Sequence, residues 1–267
     1  MRNIYWSPHG GIARGWPPER LFDAIATAGY AGTEIWMDRS WFDWTRADEI
    51  ARIKALADRY GLATPTICWR RSPELEPTDP ATAAAARDYL LACIRVAGSC
   101  RASTVLVYPG VPEGVTYADA WATARDIFGG LAAACRDHGV RIAIEFESPG
   151  PVLLGTPAET LAFIREVGPH VTACADTYHL YNRAIDPYAG VTALEGHLAL
   201  VHLSDSGRQL PGKGAVDFPR FFAGLRDMGY DGPLFVQYGP EHAAEFALGL
   251  ERARTYARTL GEGERAR

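Results

Sequence analysis

Two apolar patterns alternate along the chain. Short, mostly apolar runs occupy residues 3–6, 32–36, 63–69, 103–108, 141–147, 171–176, 198–205 and 233–238. They are apolar along most of their length, as expected of parallel strands covered on both faces. Between them, apolar positions recur at helical spacing in residues 17–30, 45–60, 79–97, 117–139, 156–168, 187–194, 217–230 and 243–261. Pro17 and Pro18 open the first helical stretch and Gly29 lies near its end, which matches the usual start and stop chemistry of helices.

Eight strand–helix units without a linker or composition break predict an α/β protein. The expected architecture is a single (β/α)8 TIM barrel over residues 1–260, with 261–267, "GEGERAR", as a frayed tail. The 267-residue length suits such a barrel, which needs about 250 residues. A doubly wound open sheet would favour a glycine fingerprint after the first strand, and "WSPHGGIARG" does not fit GxGxxG.

Composition narrows the function. The chain is 48% hydrophobic and 22% charged, an ordinary globular balance. A formal net charge of -5 and the lack of a basic cluster argue against a nucleic-acid partner. No apolar run approaches the roughly 20 residues of a membrane span, and the N-terminus lacks the apolar core of a signal peptide. The expectation is a cytoplasmic protein with a small-molecule partner and no membrane partner; self-association is left open. Five cysteines, an odd number without a CxxC pair, read as buried free thiols. Lys54 and Lys213 are the only lysines, and Lys54 falls in a helical stretch, which makes imine chemistry a poor fit.

In a barrel the carboxyl ends of the strands carry function. Here they present Trp6 and His9, Glu34 and Trp36, Trp69, Tyr108, Glu145 and Glu147, Asp176 and His179, His202 and Asp205, then Gln237. Glu145, Asp176, His202 and Gln237 end four consecutive strands. Two carboxylates, an imidazole and an amide oxygen are a donor set for one divalent ion. Mn²⁺ is the first choice, with Mg²⁺, Co²⁺ or Zn²⁺ as alternatives. Trp6, Trp36, Trp69 and Tyr108 offer aromatic faces for the C–H faces of a carbohydrate-like substrate. His9, Glu34 and Arg208 are further substrate-contact candidates. Arg208 and Lys213, in "SDSGRQLPGKG", would also suit a phosphorylated or carboxylated substrate.

Four stretches carry a family resemblance: "AIEFE" at 143–147, "DTYH" at 176–179, "HLSDSGRQLPGKGAVDF" at 202–218 and "GYDGPLFVQY" at 229–238. Over nearly its whole length the chain resembles the sugar isomerase/epimerase family of xylose-isomerase-like barrels. That family includes tagatose 3-epimerase, hydroxypyruvate isomerase and inosose dehydratase. The resemblance implies metal ligands at Glu145, Asp176 and His202, and substrate contacts at His179 and Arg208. At the fourth ligand position the epimerases have glutamate, and this chain has Gln237.

The implied activity is a metal-dependent isomerase or epimerase acting on a sugar, keto-sugar or polyol by proton transfer next to a carbonyl. An amide cannot exchange a proton near neutral pH, so Gln237 removes one base of a two-base epimerisation. Glu145 remains the principal base, with Glu147 and His179 as candidates for further proton handling. The same departure raises a rival: a metal-dependent lyase of this fold, dehydrating a keto-cyclitol or cleaving a glycoside by elimination. It also keeps open a catalytically inactive binding subunit. An endonuclease IV-like nuclease would need more histidines, where strands two and three end in Trp36 and Trp69.

Overall fold

The computed structural model describes residues 3–9, 11–13 and 15–261; residues 262–267, most of the expected tail, lie outside the described residues. The first elements are β1 (Ile4–Ser7), α1 (Pro18–Ala28), β2 (Gly32–Thr33), β3 (Ile35–Trp36), α2 (Ala47–Arg59), β4 (Thr66–Cys68), α3 (Ala83–Cys100) and β5 (Thr104–Val107). Then come α4 (Tyr117–Gly129), α5 (Ala132–His138), β6 (Arg141–Glu145), α6 (Pro157–Val167), β7 (Val171–Asp176), α7 (Thr177–Asn182) and α8 (Pro187–Thr192). The chain ends with β8 (Leu198–Leu203), α9 (Phe218–Asp227), β9 (Leu234–Gln237) and α10 (Ala244–Ala257).

Two compact units make up the chain. The first comprises Met1–Glu34, Ala55–Ala63 and Ala175–Arg267, and the second comprises Ile35–Lys54 and Thr64–Cys174. In the first, strands lie side by side in the order β2-β1-β9-β8, and these three pairings are parallel. Ser7 pairs with Gln237, and Tyr5 and His202 both pair with Phe235. Alternate residues of a strand face opposite sides, so Tyr5, Ser7, His202, Phe235 and Gln237 share one face. Ile4, Trp6, Val201, Leu203, Leu234 and Val236 take the other.

That second face is apolar because it packs against helices. Trp6 has no exposure, and its ring lies 4.7–5.6 Å from those of Phe246, Tyr238 and Tyr30. The expectation that Trp6 offers its face to a substrate is therefore corrected: strand alternation turns it into the core and turns Ser7 toward Gln237. Gly29 ends α1 at φ 88°, its N–H reaching the Ala26 carbonyl. At Gly32 an added Cβ would lie 1.9 Å from the Ala63 carbonyl oxygen, so only glycine permits this close backbone passage into Glu34.

In the second unit the order is β7-β6-β5-β4-β3, again parallel. The register runs Trp36, Cys68, Leu106, Ala143, Thr172 across the strands. With two-residue steps along each strand, Trp36, Tyr108, Glu145 and Cys174 share a face. The single helix expected over 117–139 is two, parted at Gly129 and Gly130, where two glycines weaken helix continuation. Thr116 and Thr156 cap α4 and α6 by accepting the N–H of Asp119 and Glu159. The strand expected over 32–36 is two short segments, interrupted at Glu34. All five cysteines are buried, and none is in a disulfide. Burial pushes the Cys135 thiol up to about 11, which keeps it in the thiol form. Among the described residues no helix is long and apolar enough to cross a membrane.

Candidate active site

Asp176 is the last residue of β7 and the N-cap of α7, accepting the Tyr178 N–H at 2.8 Å. This cap starts the helix that carries His179, one turn on. The Thr177 hydroxyl donates to the Ser204 carbonyl at 2.7 Å and accepts the Ser204 N–H at 2.9 Å, tying α7 to the end of β8. The loop beyond β8 folds around Asp205. This buried carboxylate accepts the N–H groups of Ser206, Gly212 and Val216 at 2.7–3.0 Å. Asp205 is thereby committed to shaping the loop.

That loop places Arg208 in the left-handed region, at φ 57°. A non-glycine residue there costs about 1–3 kcal/mol and persists only where surroundings impose it. The Arg208 guanidinium lies 4.1 Å from the centre of the Tyr178 ring. Its Nη1 donates to Asp176 Oδ2 and, at 2.6 Å, to Gln237 Oε1. Its Nη2 meets His179 Nε2 at 2.8 Å. Arginine has donors only, so His179 accepts through Nε2 and holds its own proton on Nδ1. Asp176 and Gln237 thus aim one oxygen each at a single cationic nitrogen. That convergence is the arrangement a bound cation asks for.

A second chain of contacts joins the same strands. His202 Nε2 lies 3.0 Å from Glu34 Oε1, Ser7 Oγ donates to Glu34 Oε2 at 2.7 Å, and Gln237 Nε2 donates to Ser7 Oγ at 3.0 Å. Ser7, Glu34 and His202 have no exposure. Both Glu34 oxygens are taken by protein donors. The substrate-contact expectation for Glu34 is revised accordingly: it holds His202 and Ser7 in place.

The second unit contributes Glu145, buried at the end of β6, with the Cys174 thiol 3.8 Å from its Oε1. Cys174 is its register partner on β7. Glu147 lies past the strand, its N–H bonded to the Leu154 carbonyl, which corrects its placement on the strand. Arg71 Nη2 donates to Glu147 Oε2 at 2.6 Å and also to the Tyr108 carbonyl. Arg71 Nε lies 3.5 Å from Glu76 Oε2. Burial raises the Glu76 carboxyl above its ordinary value, against the opposing pull of Arg71. The rings of Trp69 and Tyr108 meet edge to face at 5.2 Å, and the Arg70 guanidinium lies 4.2 Å from the Trp36 ring centre. His9 follows β1 and is half-buried.

The first unit therefore gathers Glu34, Asp176, His179, His202, Arg208 and Gln237 into one buried network, and the second holds Glu145, Glu147, Trp36, Trp69 and Tyr108. Sequence reading missed Ser7. Its signal was strand parity, since the residue after Trp6 is the one that faces Gln237.

The sequence pattern of a family described as the xylose isomerase-like TIM barrel matches residues 22–258. The L-ribulose 3-epimerase of Methylomonas sp. (strain DH-1) is 29% identical over 244 residues, covering 85% of this chain and 82% of that protein. The ketose 3-epimerase of Arthrobacter globiformis is 26% identical over 189 residues, covering 68% of this chain. That match spans 65% of the Arthrobacter protein, just under two thirds of its length. Among solved structures, the D-allulose 3-epimerase from Methylomonas sp. in complex with D-allulose has a TM-score of 0.81 and 24% identity. The comparison covers 96% of this chain and 97% of that one, a likeness of fold. With a match across most of its length, the chain belongs to the xylose isomerase-like TIM barrel family.

Proposed function

We propose that this chain is a divalent-metal-dependent isomerase or epimerase of a ketose-type sugar, and that residues 1–260 act as one catalytic domain. The observation that carries the reading is the buried convergence of Asp176 Oδ2 and Gln237 Oε1 on one cationic nitrogen, beside His202 and His179. The names of the relatives, ketose 3-epimerase and L-ribulose 3-epimerase, support the substrate class.

Asp176, His202, Gln237 and Glu145 would hold the ion. This mostly oxygen donor set suits Mn²⁺ first, then Mg²⁺, Co²⁺ or Zn²⁺. When bound, a divalent ion supplies Lewis-acid polarisation of a substrate oxygen. Glu145 removes the proton from the carbon next to the carbonyl, and its burial beside Cys174 keeps competing water away. Arg208 and His179 orient substrate hydroxyls from the α7 side. Trp36, Trp69 and Tyr108, with His9, line the sugar's approach. Glu147 is held by Arg71 and steadies that arginine.

Gln237 favours one further reading. With no second carboxylate at that position, a single base suits isomerisation between adjacent carbons or β-elimination. The dehydration or elimination alternative shares the first proton abstraction and diverges in its product. The test is a panel of ketoses, keto-cyclitols and glycosides incubated with the Mn²⁺-loaded protein, with products identified by NMR. Epimer or aldose–ketose products support the proposal, unsaturated products support the lyase reading, and no turnover of any member contradicts both.

A further inference from the structure

The contacts around Ser7 decide which residue type position 237 can hold. Glu34, as a carboxylate, only accepts hydrogen bonds. Its two oxygens face Ser7 Oγ at 2.7 Å and His202 Nε2 at 3.0 Å, so both neighbours donate to it. A serine hydroxyl has one hydrogen, and Ser7 spends it on Glu34. At its other contact, 3.0 Å from the Gln237 side chain, Ser7 can only accept. The group at 237 must then donate, which an amide does and a carboxylate does not. The same count turns Gln237 Oε1 toward Arg208, where it accepts at 2.6 Å.

We propose that Glu34 is a positioning residue whose carboxylate takes the place of a carboxylate at position 237, with Ser7 coupling the two so that only one of the two side chains that meet at Ser7 is a carboxylate. Glu34 has a second effect. Because His202 donates to it through Nε2, the lone pair of the neutral imidazole lies on Nδ1. Glu34 fixes the tautomer of a proposed metal ligand, the task that outer-shell carboxylates perform for metal-binding histidines. Two acceptors facing each other across Ser7 with one hydrogen between them would leave a buried polar atom unpaired, at a site with almost no exposure.

Exchanging both residue types reverses the polarity and satisfies every group. An amide at 34 donates its NH₂ to Ser7 and accepts from His202 Nε2. Ser7 donates to a carboxylate at 237, and that carboxylate pairs with Arg208. The inference therefore makes a coupled prediction for Glu34→Gln, Gln237→Glu and the double variant. All three are measured as metal-free protein, so the result does not depend on the proposed reaction.

Each single variant should lower the thermal midpoint by roughly 2–4 °C or more, the shift that about 1 kcal/mol produces in a chain near this size. The double variant should return to within about 2 °C of the parent, because coupled neighbours are not additive. Additive losses in the double variant overturn the proposal. In a Ser7→Ala background the coupling should vanish; coupling that persists there overturns it as well. Nitrogen-15 spectra of the unsubstituted protein supply a readout that needs no variant. They should place the His202 proton on Nε2, and a proton on Nδ1 overturns the proposal even where a variant fails to fold. As a further readout, Glu34→Gln should weaken Mn²⁺ binding by about 10–100-fold in calorimetric titration, and unchanged affinity contradicts the positioning role.

Discussion

Arg208→Met separates charge from packing in the buried network. Methionine keeps an unbranched stem beside Tyr178 and removes the guanidinium that Asp176, Gln237 and His179 share. Removing one partner of a buried ion pair costs about 3–5 kcal/mol. Arg208 keeps 20% of its side chain exposed, while Asp176 is fully buried and retains the Tyr178 N–H; solvent screening of the guanidinium brings the ionic loss below that range, to about 2–3 kcal/mol. Gln237 Oε1 also loses a donor, worth about 1 kcal/mol. The sum of about 3–4 kcal/mol corresponds to a fall in thermal midpoint of roughly 6–16 °C.

Scanning calorimetry with and without Mn²⁺ reads both halves of the argument. In the parent protein a cation must displace the guanidinium to reach Asp176 and Gln237. In the variant it meets two uncompensated oxygens. Mn²⁺ should therefore raise the midpoint of Arg208→Met more than that of the parent. A fall below about 2 °C, or equal Mn²⁺ effects on both proteins, would refute the reasoning.

Three other substitutions probe separate claims. Glu145→Gln should reduce turnover by about 10²–10⁴-fold with circular dichroism unchanged, and a smaller loss would move the base elsewhere. Trp6→Ala should cost about 3–5 kcal/mol in urea unfolding, as a ring buried among Tyr30, Tyr238 and Phe246 requires, and a loss under about 1 kcal/mol would contradict its core placement. Glu76 is held by burial above its ordinary value of 4.5, so the folded chain binds this proton more tightly than the unfolded chain does. Its contribution to stability is present below that value and is lost as pH rises through the folded value. Midpoints of the parent should accordingly fall relative to Glu76→Gln from about pH 4.5 upward, and parallel curves would contradict the burial effect.

The strand-and-helix plan was legible because periodicity is local. Apolar runs and three-to-four spacing survive in the sequence wherever helices cover a parallel sheet. The boundaries that slipped have local physical causes. Gly129 and Gly130 divide a helix whose hydrophobic period runs on through them, and the strand through Glu34 breaks where that side chain turns to Ser7 and His202. Polar residues at strand ends were also legible, because a charged group after an apolar run stands out. The parity of each strand end was not. Trp6 drew attention as an aromatic, yet pairing of Ser7 with Gln237 gives the site-facing position to the serine. Glu34 looked like a substrate contact because its partners, Ser7 and His202, lie 27 and 168 residues away and only the fold brings them together. The loop role of Asp205 was hidden for the same reason, since it depends on backbone N–H groups of residues up to Val216.

Solvent deuterium exchange tests the central claim most directly. The Mn²⁺-loaded protein is incubated in heavy water with D-allulose, D-fructose and L-ribulose, and deuterium is followed by NMR at the carbons beside the carbonyl. The account predicts incorporation at one such carbon in at least one of these ketoses, abolished by chelation, restored by Mn²⁺ and lost in Glu145→Gln. Absence of exchange in every ketose with Mn²⁺ present, or exchange that persists after chelation or in Glu145→Gln, would contradict it.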